Sequence, residues 1–148
     1  MAHLRKRIRD AVVTALTGLA STGPRVYPTR VYPIQPGALP ALCVYTLSEA
    51  SEVHSMGPDR ALLRQLDLVV QAVAKVNDTL DDTLDQICLE VEGAIGTAPT
   101  LGGLCYDCTL ASTRITVEGE GEKETGSAVM VFSLRYRSRA ADPSINAI

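Results

Sequence analysis

The chain has no tryptophan, one phenylalanine and five tyrosines among its 148 residues. That scarcity argues against a single-stranded nucleic-acid binder, which stacks bases on several exposed rings. Long apolar runs are also missing: none approaches the ~18–20 residues that cross a bilayer, and no membrane partner is expected. The opening stretch MAHLRKRIRDAVVTALTGLA spaces its apolar residues at helical intervals instead of massing them in one block. It therefore does not read as a secretory signal, and the chain is placed in cytoplasm. There are only four cysteines, Cys43, Cys88, Cys105 and Cys108. In a reducing compartment they are expected to pack as small hydrophobes.

With 46% hydrophobic and 21% charged residues, the composition is that of a folded globular domain. The length suits one domain with a core that needs no disulfide or metal staple. The net charge of −3 hides a patchy distribution. Residues 1–30 hold Arg5, Lys6, Arg7, Arg9, Arg25 and Arg30 against Asp10 alone, a balance of +5. From Asn77 to Glu92 the acids Asp78, Asp81, Asp82, Asp85, Glu90 and Glu92 have no basic residue among them. A second acidic run, EGEGEKE, precedes a basic end at Arg135, Arg137 and Arg139.

Periodicity sets the elements. Leu4, Ile8, Ala11, Val12, Ala15, Leu16 and Leu19 share one helical arc, which should close by Gly23-Pro24. Short extended pieces are expected at 25–32 and 41–47, the first an edge strand or merely extended because of Pro28 and Pro33. The polar stretch Ser48 to Asp59 reads as a long mobile loop. Residues 62–73 alternate as a strand. A second helix, capped by Asn77 or Asp78, carries Leu80, Leu84, Ile87, Cys88, Val91 and Ile95 on one stripe. Residues 104–118 form a strand and turn through the acidic glycine-rich run into a last strand, where Ala128, Met130, Phe132, Leu134 and Tyr136 share a face. The order implies an α+β fold: a mainly antiparallel sheet of four to five strands with two amphipathic helices packed on it. Residues 1–139 form the single domain, and 140–148 a tail that frays or reaches a neighbouring subunit.

No motif carries chemistry. CYDC, from Cys105 to Cys108, has no metal-ligand spacing to His3, His54, Cys43 or Cys88, and two thiols three apart in a strand point to opposite faces. His54 lies near Glu49, Glu52 and Ser55, but neighbours on a loop do not hold a catalytic triad. No phosphate-binding glycine loop is present, and EGEGEKE lacks calcium-loop spacing. No cofactor, metal or catalytic residue is assigned. Arg5, Lys6, Arg7 and Arg9 crowd a helix end where the macrodipole is already positive, which favours an anionic partner nearby. The second helix has the opposite sign. Helical-wheel positions put Val13 on the polar side of helix one and Leu89 opposite the core stripe of helix two.

The succession HLRKRIRDAVVTALTGLA, RVYPTRVYP, LPALCVYT, NDTLDDTLDQICLEVEGAI and LASTRITVEGEGEKETGSAVMVFSLRYR resembles the tail terminators of long-tailed bacteriophages, the minor tail protein U type, over residues 3–138. The resemblance implies a non-enzymatic virion subunit that forms a hexameric ring at the neck end of the tail and assembles in the host cytoplasm. The ring would cap the tail tube, end its polymerisation and join the head-side connector, with DNA passing through its lumen. On that basis subunit contacts are expected at Arg5, Arg7, Arg9 and Val13 on one helix and Asp81, Asp82, Asp85 and Leu89 on the other. Tube contact is expected at Glu49, Glu52, Val53, His54 and Met56. Two other readings remain open: another tail-completion or head–tail joining subunit, and a small metal- or ligand-binding domain using Cys105, Cys108 and His54.

Overall fold

The computed structural model describes residues 2–30, 39–75, 77–118 and 125–147. The acidic hairpin tip 119–124, the prolines and glycine at 33–37, Tyr32 and Ile148 lie outside them. Among the described residues seven elements follow in order: α1 Leu4–Leu16, β1 Val26–Tyr27, β2 Ala41–Val53, β3 Ala61–Lys75, α2 Leu80–Gly96, β4 Asp107–Glu118 and β5 Thr125–Arg139. The strands form one sheet in the order β1-β2-β3-β5-β4, with β1 parallel to β2 and every other pair antiparallel. This is the expected α+β architecture.

Both helices lie on one face. Helix α1 buries Leu4, Ile8, Val12 and Leu16; α2 buries Leu80, Leu84, Ile87, Cys88, Val91 and Ile95, the stripe its spacing foretold. They close over Leu42 and Val44 of β2, Leu66, Leu68 and Val70 of β3, and Met130, Phe132, Leu134 and Tyr136 of β5. Removing this much apolar surface from water is the main source of stability. Gly126 leaves room for the α2 N-terminus, since a Cβ there would stand 2.6 Å from a Leu80 methyl. The helix therefore begins at the end of the sheet where β3 leaves and β5 enters.

Several boundaries differ from expectation. Helix α1 stops at Leu16; the chain then turns through Gly18 and Gly23, both at positive φ. It is capped by His3, whose Nδ1 accepts the Arg5 N–H at 3.0 Å. At α2 the cap position is Thr79, while Asn77 accepts the Thr79 N–H and hydroxyl just upstream. The first extended piece shrinks to two residues ahead of Pro28, and β4 starts at Asp107 instead of 104.

The largest correction concerns Ser48 to Asp59, which is no long loop. Strand β2 continues to Val53, pairing Ser48 through Val53 with Asp67 back to Leu62, so only residues 54–60 turn the chain. The polar composition misled because hydrophilicity marks loops only by correlation, whereas cross-strand pairing needs only a partner of matching length. The C-terminal segment, expected to fray or reach away, is also tied down. Arg139 N–H donates to Ile145, Ala147 N–H to Arg137, and Leu4 N–H to Pro143, which joins this segment to β5 and to the start of α1.

Candidate functional site

A polar knot joins α1 to the sheet, and a bulge in β2 creates it. Leu42, Val44 and Thr46 point to the helix side, and strict alternation would send Glu49 to the other side. The register slips between Thr46 and Ser48, leaving Leu47 unpaired and setting Glu49 opposite Leu66. One extra residue inverts the parity of everything beyond it, and a bulge re-aims side chains in this way. Glu49 thereby faces inward, its side chain only 10% exposed. Its carboxylate accepts from Arg5 at 2.7 Å, from Arg64 at 3.1 Å and from the Tyr136 hydroxyl. Arg64, directly opposite Tyr136 in register, also donates from Nε to Ser138 at 2.8 Å.

The electrostatics follow from this arrangement. Burial raises the Tyr136 phenol, and its bond to the anionic Glu49 raises it further. Partial burial lowers the His3 pKa, and the nearby Arg5 and Arg64 charges add to that. Neutral imidazole is the form in which Nδ1 can accept and cap α1. The three donors to Glu49 come from α1, β3 and β5, so the knot fastens the helix to the sheet.

The sequence-level candidates fall into different places. Glu49 belongs to the knot. Arg5 is spent on it, and Arg7 donates to the Ser144 carbonyl at 3.2 Å. Arg9 is partly buried, and its Nε has no partner among the described residues. Val13 is partly buried and packs against the core. By contrast Asp81, Asp82 and Asp85 are exposed and carry no ion pair among the described residues, and Leu89 beside them is 65% exposed. Glu52 and Val53 end β2; His54 and Met56 sit in the turn, with Met56 82% exposed.

Sequence reasoning missed two groups. Arg64 and Tyr136 are the core of the knot, and the available signal was an arginine at the same strand parity as Leu66, Leu68 and Val70. Strand β4 pairs antiparallel with β5 as the expected hairpin and is also the sheet's edge, with Thr109 to Thr113 exposed on both faces and Leu110, Ile115 and Val117 open to solvent on the helix side.

All four cysteines are free and buried. Cys105 lies in the turn before β4, not in the strand, so it and Cys108 both join the core, and the Cys105 thiol points at the Pro99 carbonyl at 3.4 Å. Burial pushes Cys43 and Cys105 up to about 11 and Cys108 to about 12, so these thiols stay protonated and poorly nucleophilic at neutral pH. His54 is exposed in the β2–β3 turn, and the structure does not bring it together with them. Among the described residues no group of three His, Cys, Asp or Glu side chains is placed to hold a metal, and no helix is long and apolar enough to cross a membrane.

No family model and no curated protein matches the chain. Among solved structures it is similar to a chain of the virion of a native gene transfer agent particle, at 17% identity over 92% of both chains and a TM-score of 0.35. That likeness is too distant to carry an assignment.

Proposed function

We propose that this chain is a ring-forming structural subunit of a phage-like virion, acting as a tail terminator: it caps the tail tube, ends its growth and meets the head-side connector. The sequence resemblance suggests the role, and one structural observation supports self-assembly most directly. Strand β4 is a twelve-residue edge without lysine or proline, exposed along most of its length and carrying three solvent-exposed apolar side chains. An open edge ladder can recruit another strand, and here the bulge at Ala111 and Arg114 interrupt it only locally. The outer face of α2, with Leu89, lies on a different surface. Two unlike surfaces on one subunit suit a heterologous contact, which closes into a ring when its rotation permits.

Native mass spectrometry at rising concentration, followed by electron microscopy of the protein mixed with purified phage tail tubes, tests this reading. Closed rings, free or seated at one tube end, are expected. A chain that stays monomeric in both settings, with tubes uncapped, overturns it.

A further inference from the structure

The reversal of charge along the molecule has a defined geometry. Strands β3 and β5 run side by side over fifteen residues each, placing Ala61 beside Arg139 at one end and Lys75 beside Thr125 at the other. At ~3.3 Å per residue those ends are up to roughly 45 Å apart. The first turns of α2, with exposed Asp81, Asp82 and Asp85, are anchored by Leu80 against Gly126 at the Lys75 end. At the opposite end a depression of about 390 Å³ is lined by His54, Ser55, Asp59, Arg137, Arg139 and Asn146. Arg60 stands at its rim, where its carbonyl accepts the Ala140 N–H.

The cations of this depression are weakly engaged within the chain. Arg139 lies 3.9 Å from Asp59, a side chain that is itself 88% exposed. Arg137 stacks its guanidinium 5.0 Å from the Tyr106 ring centre and forms no ion pair among the described residues. Three of the four basic residues of α1 are already engaged within the chain, Arg5 with Glu49, Lys6 with Asp10 and Arg7 with the Ser144 carbonyl, and Arg9 is partly buried. No single copy can join its own two poles across this length.

We infer that the basic depression around Arg137 and Arg139 receives the Asp81–Asp85 turns of α2 from a second copy of this chain, head to tail. The inference rests on the self-assembly reading above and names the contact. Complementary charge steers such encounters and fixes their orientation, and like charges set face to face oppose them. The α2 acids stand on the first turns of a helix, so the partner reads a rigid row of carboxylates with the exposed Leu89 one turn further on.

Two reversed variants test it, Arg137→Glu with Arg139→Glu, and Asp81→Lys with Asp82→Lys, read by sedimentation velocity and native mass spectrometry at low salt. Asp81, Asp82 and Arg139 are exposed, and Arg137 is partly buried against Tyr106. Each variant alone should lose self-association by at least about tenfold, because one carries two acidic poles and the other two basic poles. An equimolar mixture should associate again, and that association should fade between about 0.05 M and about 1 M salt, where screening shortens to about 3 Å. Recovery on mixing also shows that both variants are folded. Variants that self-associate like the parent, or a mixture that does not associate, overturn the contact. So does duplex DNA retained by the parent and lost in the arginine variant while oligomers persist, since the depression then serves nucleic acid. The ring reading fails separately, if the restored or parental assemblies are open chains or dimers and not closed rings.

Discussion

The two long hairpins of the sheet each contain one bulge, with opposite results. In β2–β3 the extra residue Leu47 swings Glu49 inward, where Arg5, Arg64 and Tyr136 meet it. In β4–β5 the register slips between Leu110 and Ser112, leaving Ala111 unpaired and turning Thr113, Ile115 and Val117 to the helix side. Among the described residues no helix reaches far enough to cover them: Ile115 remains 45% and Val117 61% exposed. The same backbone device completes a fastening where a helix lies above it and opens a surface where none does. Chain-internal stability is therefore concentrated at the first bulge, and capacity for contact at the second.

Deleting one residue at each bulge should separate them most sharply. Loss of Leu47 restores strict alternation and throws Glu49 to the wrong face, stranding Arg64 and Tyr136. Although Leu47 is itself 54% exposed, the deletion should cost more than about 3 kcal/mol, as for a buried ion pair that loses a partner. Deletion of Ala111 should cost about 1 kcal/mol or less. Urea unfolding of both variants measures the difference, and equal losses would dissolve the contrast.

Glu49→Ala comes next. With its side chain 10% exposed and that of Arg64 11% exposed, the substitution should remove about 3 kcal/mol. Glu52→Ala, three residues on and exposed, should stay within about 0.5 kcal/mol. Similar effects at the two glutamates would mean that Glu49 is not the centre of the knot.

Acid should weaken the knot from its helix side. His3 has a folded pKa below its ordinary value, so the unfolded chain takes up the proton first. Its contribution is complete above about pH 6.5 and is lost as pH falls through the lowered folded value, because protonated Nδ1 no longer caps α1. Thermal melts of the parent across this range should show a fall that His3→Asn flattens, since asparagine caps without titrating there. A parallel fall in the variant would remove His3 from the account.

The smallest effect belongs to the second bulge. Ile115→Thr and Val117→Thr should change monomer stability by no more than about 0.5 kcal/mol while reducing any association that uses the β4 edge. A loss of stability as large as that of Glu49→Ala would show that β4 is part of the core after all.

Most of the scaffold was legible from spacing. The apolar stripe of α2, that of α1 as far as Leu16, and the inward face of β5 came out as read, because a residue's place on a helix arc or strand face follows from local periodicity. The bulges were not legible, since a bulge is defined against a partner strand that the local sequence does not contain. Val13 illustrates the same limit: it sits on the polar arc of its own helix, yet packs against the core from that position. The anchored C-terminal segment is another case, held by backbone hydrogen bonds to Arg137 and Leu4 that leave no trace in side-chain pattern.

The charge pattern divides along the same line. The sequence by itself determined that one chain would carry a basic start, an acidic second helix and a basic final strand, since composition along the chain is independent of folding. It also determined the α+β class, through two helical periods and several alternating runs. Only the tertiary structure decided which charges were consumed internally. It placed Glu49 among Arg5, Arg64 and Tyr136, and left Asp81, Asp82 and Asp85 at one end with Arg137 and Arg139 at the other. The physical reason is that an ion pair needs its partners within about 4 Å, and only the register of β2, β3 and β5 sets those separations.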